Sequence, residues 1–354
     1  MNFKSETIVV SNDDVETVTE QLYDEGLTDG LPVVPPTPDR LERMLEGSDR
    51  EPEDSLGEIP PKYGTATVET LAINAIMAGC TPAHMPVLEA AVEAITDDGF
   101  NLYGINATTH PVAPLLVVNG PIVDELNVNY GYNVFGQGWR ANATIGRALR
   151  LLLVNVGGGS PGTMDRATHG QPGKFSFCIA ENQRKSPWDP LHVRRGYDED
   201  ESTVTAMGVE SPHEINDHVH ADADGILSVA ASVFATVGNN NTHHSAGEIA
   251  IVLGPEHAET IAADGWTIED VQWYLYDQAR NSVADLDAAG IYDNYTLNPR
   301  FHLEDDREAT IPLVERPVDV VVLVAGGAGK HSMALHSFGE TRSVTKSITG
   351  GDER

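Results

Sequence analysis

Two histidines stand in the same frame at two places in the chain. Residues 104–121 read GINATTHPVAPLLVVNGP and residues 238–255 read GNNNTHHSAGEIAIVLGP, at a constant offset of 134. His110 matches His244, Asn106 matches Asn240, Gly104 matches Gly238 and Thr108 matches Thr242. Val118 with Val252 and Gly120-Pro121 with Gly254-Pro255 bring the identities to seven. Imidazoles on duplicated loops that face each other can serve as general bases, or as ligands of a single divalent metal together with a carboxylate. Asn106 and Asn240 would then orient a substrate.

Other residues offer different chemistry. Cys80 follows Gly79, a helix breaker, and precedes Thr81-Pro82, a helix-start pair. A thiol beside a helix N-terminus can have a lowered pKa and act as nucleophile or soft metal ligand; the other reading of Cys80 is a small buried residue at a tight corner. The segment ATHGQPGKFSFCIAEN, residues 167–182, groups His169 and Glu181 as acid–base candidates with Lys174 as an anion holder. GGAGKHS, residues 326–332, follows the apolar run 320–325. Glycines after a strand let backbone N–H groups converge on an anion, so Gly327, Gly329, Lys330 and His331 form a candidate anion site. The spacing does not fit an ATP-binding Walker loop, because only two residues separate Gly326 from Gly329. Arg140 precedes a helix expected over 143–152 with Asn142 as its cap, where a guanidinium can grip a carboxylate. His213 with His218 and His331 with His336 have the H-x4-H spacing of zinc fingers, without the cysteine pair that makes it diagnostic.

These residues need a scaffold. An amphipathic helix is expected before each copy of the repeat, over 87–95 and 226–237. After each copy a further helix and a second strand are expected, the strands at 151–156 and 320–325, each ending in glycines. Alternating helices and strands indicate an α/β fold made of two tandem related repeats with a pseudo-twofold axis. The chain then divides into an N-terminal helix and Pro-rich arm (1–63), a first repeat (64–165), a polar connector with short strands (166–215), a second repeat with a longer middle (216–342) and a flexible tail (343–354).

Composition limits the partners. The 354 residues carry 54 Asp and Glu against 22 Lys and Arg, a formal net charge of -32. Such a charge repels nucleic acid and anionic membrane surfaces. Six of the basic residues are Lys and the acids are spread along the chain. This suits a salt-loaded, haloarchaeal-type cytoplasm, where ions screen the repulsion between carboxylates. Two cysteines, Cys80 and Cys178, exclude a disulfide scaffold and a four-cysteine zinc site. The N-terminus carries no export signal, and the apolar runs are strand-sized. A cytoplasmic protein is expected, and paired repeats are compatible with a homodimer.

The strings DGLPVVPPTPDR, INAIMAGCTPAHMPV, NLYGINATTHPVAPLLVVNGP, ATHGQPGKFSFCIAEN, NDHVHADADG and VLVAGGAGKHS together resemble a prokaryotic family associated with UGSC proteins, small proteins bearing a Sec/Cys-Gly-Ser-Cys motif. Its members are often loosely labelled thioredoxin. The resemblance spans residues 28–335 and implies a thiol or selenol redox partner; it supplies no catalytic residues. The chain itself contains no Cys-x-x-Cys.

The residues therefore lead to an enzyme acting on a small anionic molecule in a cleft between two α/β repeats, with lyase, hydrolase and thiol-dependent redox chemistry all open. A redox component working with a UGSC-type partner is the second reading. A non-catalytic subunit or ligand-binding protein is the third.

Overall fold

A computed structural model describes residues 4–10, 12, 14–244, 247–291, 308–339 and 341–349. Residues 292–307 of the second copy's middle and 350–354 of the tail lie outside the described residues. The strands, in chain order, are β1 (Ser55–Ile59), β2 (Gly64–Thr67), β3 (Ala113–Asn119), β4 (Cys178–Ala180), β5 (Thr203–Val209), β6 (His213–Asn216), β7 (Ile249–Leu253), β8 (Arg280–Ser282), β9 (Thr310–Pro312), β10 (Val320–Val324), β11 (His331–Leu335) and β12 (Val344–Ser347).

Eight of them make two four-stranded sheets with orders β12-β5-β3-β4 and β10-β7-β11-β6. In the first, β3 pairs parallel with β4 and antiparallel with β5, and β12 closes beyond β5. In the second, β7 pairs parallel with β10 and antiparallel with β11, and β6 closes beyond β11. The pairing scheme is the same in both. Each closing strand comes from the other half of the chain: β6 follows β5, and β12 follows β11. Residues 166–215, read from sequence as a polar connector with short strands, supply β4, β5 and β6.

Alternation along the central strands explains the layers. Ala113, Leu115 and Val117 of β3 share a buried cluster with Ala250 and Val252 of β7 and Val321 and Leu323 of β10. The opposite faces, with Leu116 and Val118 on one sheet and Ile249, Ile251 and Leu253 on the other, pack under helices. The strands are apolar on both faces because both faces are covered. The result is a mixed α/β architecture of helix, sheet, sheet and helix layers.

The helices follow their sequence signals in several places. Helix Val68–Ala78 is capped by Thr67 and ends at Gly79, whose φ of 92° is left-handed. Helix Met85–Ile95 precedes the first copy, and helix Ala223–Phe234 precedes the second. Other expectations need correction. Residues 151–156 are no strand: they end the helix Arg140–Asn155 and the residue after it. In the sheet, β4 takes the place expected of that strand. Asn142 does not cap this helix; it lies buried inside it, donating to the carbonyls of Asn129 and Cys178. The polar strings with His are not loops throughout, since Leu102–Ala107 and Asn240–His244 are short helices. Within the N-terminal 63 residues, β1 pairs with β2 and buries Leu56 and Ile59 in the main core. No helix among the described residues is long and apolar enough to cross a membrane.

Candidate active site

The chain leaves β10, turns through Ala325–Gly329 and returns as β11 on the far side of β7. Gly326 (φ 111°) and Gly329 (φ 140°) take conformations that side chains rarely adopt, which folds the turn over the end of β7. Among the described residues, the backbone N–H groups of Gly327, Ala328 and Gly329 donate to no protein acceptor. They border a cleft of about 420 Å3 whose opposite wall is Asn133–Gly136, from the first half of the chain. Val252, Gly254, His331, Ser332 and Met333 also line it. The Tyr132 ring packs so closely on Gly327 that a Cβ there would lie 2.0 Å from its Cδ1.

Ser332, the second residue of β11, meets His257 in the first turn of helix Pro255–Ala263, which starts directly after β7. The Ser332 Oγ and His257 Nδ1 are 2.8 Å apart. His257 Nε2 lies 3.1 Å from the Asp217 carbonyl oxygen. A carbonyl only accepts, so Nε2 carries the proton of the neutral ring and Nδ1 presents a lone pair. The Ser332 hydroxyl must therefore donate to Nδ1, while its oxygen accepts the Gly254 N–H at 3.1 Å. Burial holds the His257 pKa below the usual histidine range, and the neighbouring charges of His331 and Lys330 add to this against the Asp217 carbonyl. Both residues are buried, and of the two only Ser332 borders the cleft. A neutral base paired with a hydroxyl is the arrangement that nucleophilic catalysis by serine needs.

The string NDHVHADADG forms the surroundings. The Asp217 carboxylate accepts the N–H groups of Val219 and His220 and pairs with His220 Nδ1 at 2.8 Å. Burial raises its pKa, but those donors outweigh burial and leave it below the usual range. His331 Nδ1 pairs with Glu214 at 2.9 Å, and its ring meets His218 edge-on at 4.7 Å between centroids. Lys330 Nζ reaches the His220 carbonyl at 3.5 Å. Of the expected anion holders, Gly327, Gly329 and His331 line the cleft, and Lys330 is not in the lining.

The first sheet has no such pair. At the offset of 134, Val123 stands where His257 stands. β3 and β7 carry Asn119 and Leu253 at matching positions, and their register partners are Thr203 and Ser332. Ser332 and His257 were not singled out from the sequence. The signal that finds them is a histidine two residues past the repeated frame, where the first copy has a valine.

The other expected residues lie elsewhere. His110 Nε2 is 2.7 Å from Glu210 Oε1, its ring packs on Phe338, and its buried Nδ1 has no partner among the described residues. His244 packs against Gly339, whose N–H donates to Asn240 Oδ1 at 2.8 Å. His110, His244 and Asn240 thus gather on segment 338–339, at the end of β7 and β11 remote from the Gly-rich turn. Among the described residues, no group of three or more His, Cys, Asp and Glu is placed to hold a metal ion. The expectation of His110 and His244 as joint ligands of a divalent metal finds no support there, since Glu210 occupies His110 Nε2. The two H-x4-H pairs do not form sites either; His336 is buried with Nε2 on the Phe234 carbonyl.

Asn106 is buried, with its amide donating to the Pro60 carbonyl at 2.9 Å. Glu181 is not an available acid or base: one oxygen accepts from Asn119 and the Leu191 N–H, and the other faces Arg194 at 3.7 Å. Lys174 cannot hold a free anion, because its Nζ lies 2.9 and 2.7 Å from the two Asp165 oxygens. His169 is exposed. Cys80 is the buried residue at a tight corner and not a reactive thiolate. Burial pushes its thiol up to about 12, overriding the hydrogen bond to Thr144 and the charges of Arg140 and Arg147. Cys178 is likewise pushed up to about 12 by burial, and both thiols are free. Arg140 is the first residue of its helix and binds the Gly79 carbonyl, away from the Gly-rich turn.

Comparison with family models, curated proteins and solved structures finds no match to the chain.

Proposed function

We propose that the protein is an enzyme that hydrolyses or transfers an acyl group on a small anionic molecule in the cleft beneath the Gly-rich turn, with Ser332 as nucleophile and His257 as general base. The reading rests on one observation: the hydrogen bond from His257 Nε2 to a carbonyl leaves Nδ1 facing the Ser332 hydroxyl at 2.8 Å, in a buried pair whose serine borders the cleft. As Ser332 Oγ attacks the acyl carbon, its proton passes to Nδ1, and the imidazolium keeps its bond to the Asp217 carbonyl. The open N–H groups of residues 327–329 receive the negative charge of the substrate or of the oxyanion. The leaving group takes the proton back from Nδ1. Water, deprotonated by the same nitrogen, or an acceptor alcohol or amine then releases the acyl group from Ser332.

The scaffold of this proposal is an internal duplication that keeps one reactive pair. Its support is the seven matched identities and the shared pairing scheme of the two sheets. The N-terminal segment that the sequence presents as a Pro-rich arm belongs to the first unit in this reading. A cytoplasmic setting rich in salt suits the charge of -32. The thiol- or selenol-linked reading drawn from the UGSC resemblance is weaker, because both cysteines are buried and strongly protonated.

The test is covalent capture with phenylmethylsulfonyl fluoride in molar KCl, followed by peptide mass spectrometry. Ser332 should be sulfonylated in the native chain and not in the His257→Ala variant. An unlabelled Ser332 in the folded native chain overturns the assignment.

A further inference from the structure

A second concavity lies on the helical side of the first half. It has a volume of about 280 Å3 and is lined by Val34, Arg40, Arg43, Met44, Ile76, Gly79, Cys80, Pro82 and Arg140. Three of the chain's 22 cationic side chains meet here, in a protein with 54 carboxylates. Ion pairs elsewhere are frequent; Arg147, about two helical turns beyond Arg140, pairs with Asp29 at 2.7 Å. Yet none of Arg40, Arg43 and Arg140 pairs with a carboxylate among the described residues.

The bonds they do make hold them in place without neutralising them. Arg140 donates Nε and one terminal nitrogen to the Gly79 carbonyl, at 3.1 and 2.9 Å. Arg40 donates to the Pro35 carbonyl at 2.9 Å. Arg43 makes no hydrogen bond among the described residues. Arg40, Arg43 and Met44 sit three and four positions apart on helix Pro38–Leu45, so they share one face. Acidic residues of that helix, Asp39 and Glu42, are not in the lining. Behind the guanidinia the wall is apolar: Val34, Met44, Ile76, Pro82 and the neutral Cys80 thiol.

We infer that this pocket binds a small organic carboxylate with an apolar body, the carboxylate held by Arg43 and Arg140 and the body against Met44, Ile76 and Pro82. Guanidinium planes match carboxylates in pairs, and the apolar wall selects against inorganic anions. The site is separate from the Gly-rich turn and does not depend on the role of Ser332.

The experiment uses 4-fluorobenzoate as probe, followed by fluorine NMR line broadening in molar KCl with the full chain. Saturable broadening is expected. Arg43→Ala should weaken binding about tenfold, the loss of one charged hydrogen-bond donor. Arg43 is exposed and its side chain has no partner to lose among the described residues, so folding should be unaffected; Arg43→Glu should abolish binding. Ser332→Ala should leave binding unchanged. Equal broadening in Arg43→Ala, equal binding of the neutral 4-fluorobenzyl alcohol, or no saturable broadening overturns the inference.

Discussion

His257 Nε2 lies 3.1 Å from the carbonyl oxygen of Asp217, and this contact decides which ring nitrogen carries the proton. With Nε2 committed as donor, Nδ1 is the base. Burial lowers the ring's pKa below 6.5, so the neutral, competent form persists into mild acid.

The pH profile of Ser332 capture follows from this. A base with an ordinary pKa would lose half of its reactivity at pH 6.5. Here the midpoint of the fall in sulfonylation rate should lie below pH 6.5. His257→Ala should slow capture by about a hundredfold or more at neutral pH. Rates measured by timed quenching and mass spectrometry check both; a midpoint at or above 6.5 contradicts the burial argument.

His84 makes the fold sensitive to acid. Its Nδ1 accepts the Thr81 N–H at the start of the short helix Pro82–His84, and burial, aided by Arg140, lowers its pKa to about 4. The unfolded chain binds this proton at about 6.5, so stability is full above 6.5 and declines as the pH falls towards 4. The contribution lost is about 3 kcal/mol. His84→Gln keeps an acceptor for Thr81 and removes the titration. Its acid-unfolding midpoint, read by circular dichroism in molar KCl, should move to lower pH.

Part of this was legible in the sequence, where short-range signals agree with packing. Gly79 ends its helix as a breaker because left-handed turns are local. β3 and β7 follow from apolar runs in a repeated frame. Residues 151–156 misled because Leu151, Leu152 and Leu153 are buried together in a helix covered on several sides. A short apolar run before glycines reads equally well as a strand. Cys80 misled for a different reason: desolvation exceeds any helix-dipole effect once the thiol is buried. Ser332 and His257 stand 75 residues apart, and the third member of their chain is a backbone carbonyl, which has no sequence signature.

The charge of -32 gives a dependence on salt. At 0.1 M salt the screening length is about 10 Å, long enough for neighbouring surface carboxylates to repel; at 1 M it is about 3 Å. The melting temperature should therefore rise steadily as KCl is raised from 0.1 M to above 1 M. Differential scanning fluorimetry across that series checks it, and a flat profile removes the halophilic reading.

Gly327 and Tyr132 give a test of the turn itself. The Tyr132 ring occupies the space that a Cβ on Gly327 would need, with Cδ1 at 2.0 Å and Cε1 at 2.4 Å. Tyr132 is exposed, so the ring can give way, but it moves only by leaving Gly327 or by pushing the turn. Gly327→Ala should therefore disturb the row of N–H groups at residues 327–329 and slow the capture of Ser332. Tyr132→Ala alone removes the ring without moving the backbone and should change capture little. The double variant relieves the contact, so it should recover the rate lost in Gly327→Ala. Capture rates for the four proteins form a double-mutant cycle, and a strongly non-additive pair is the expected outcome. Additive losses would mean that the turn and the ring act separately, and that the N–H row is not held in place by Tyr132.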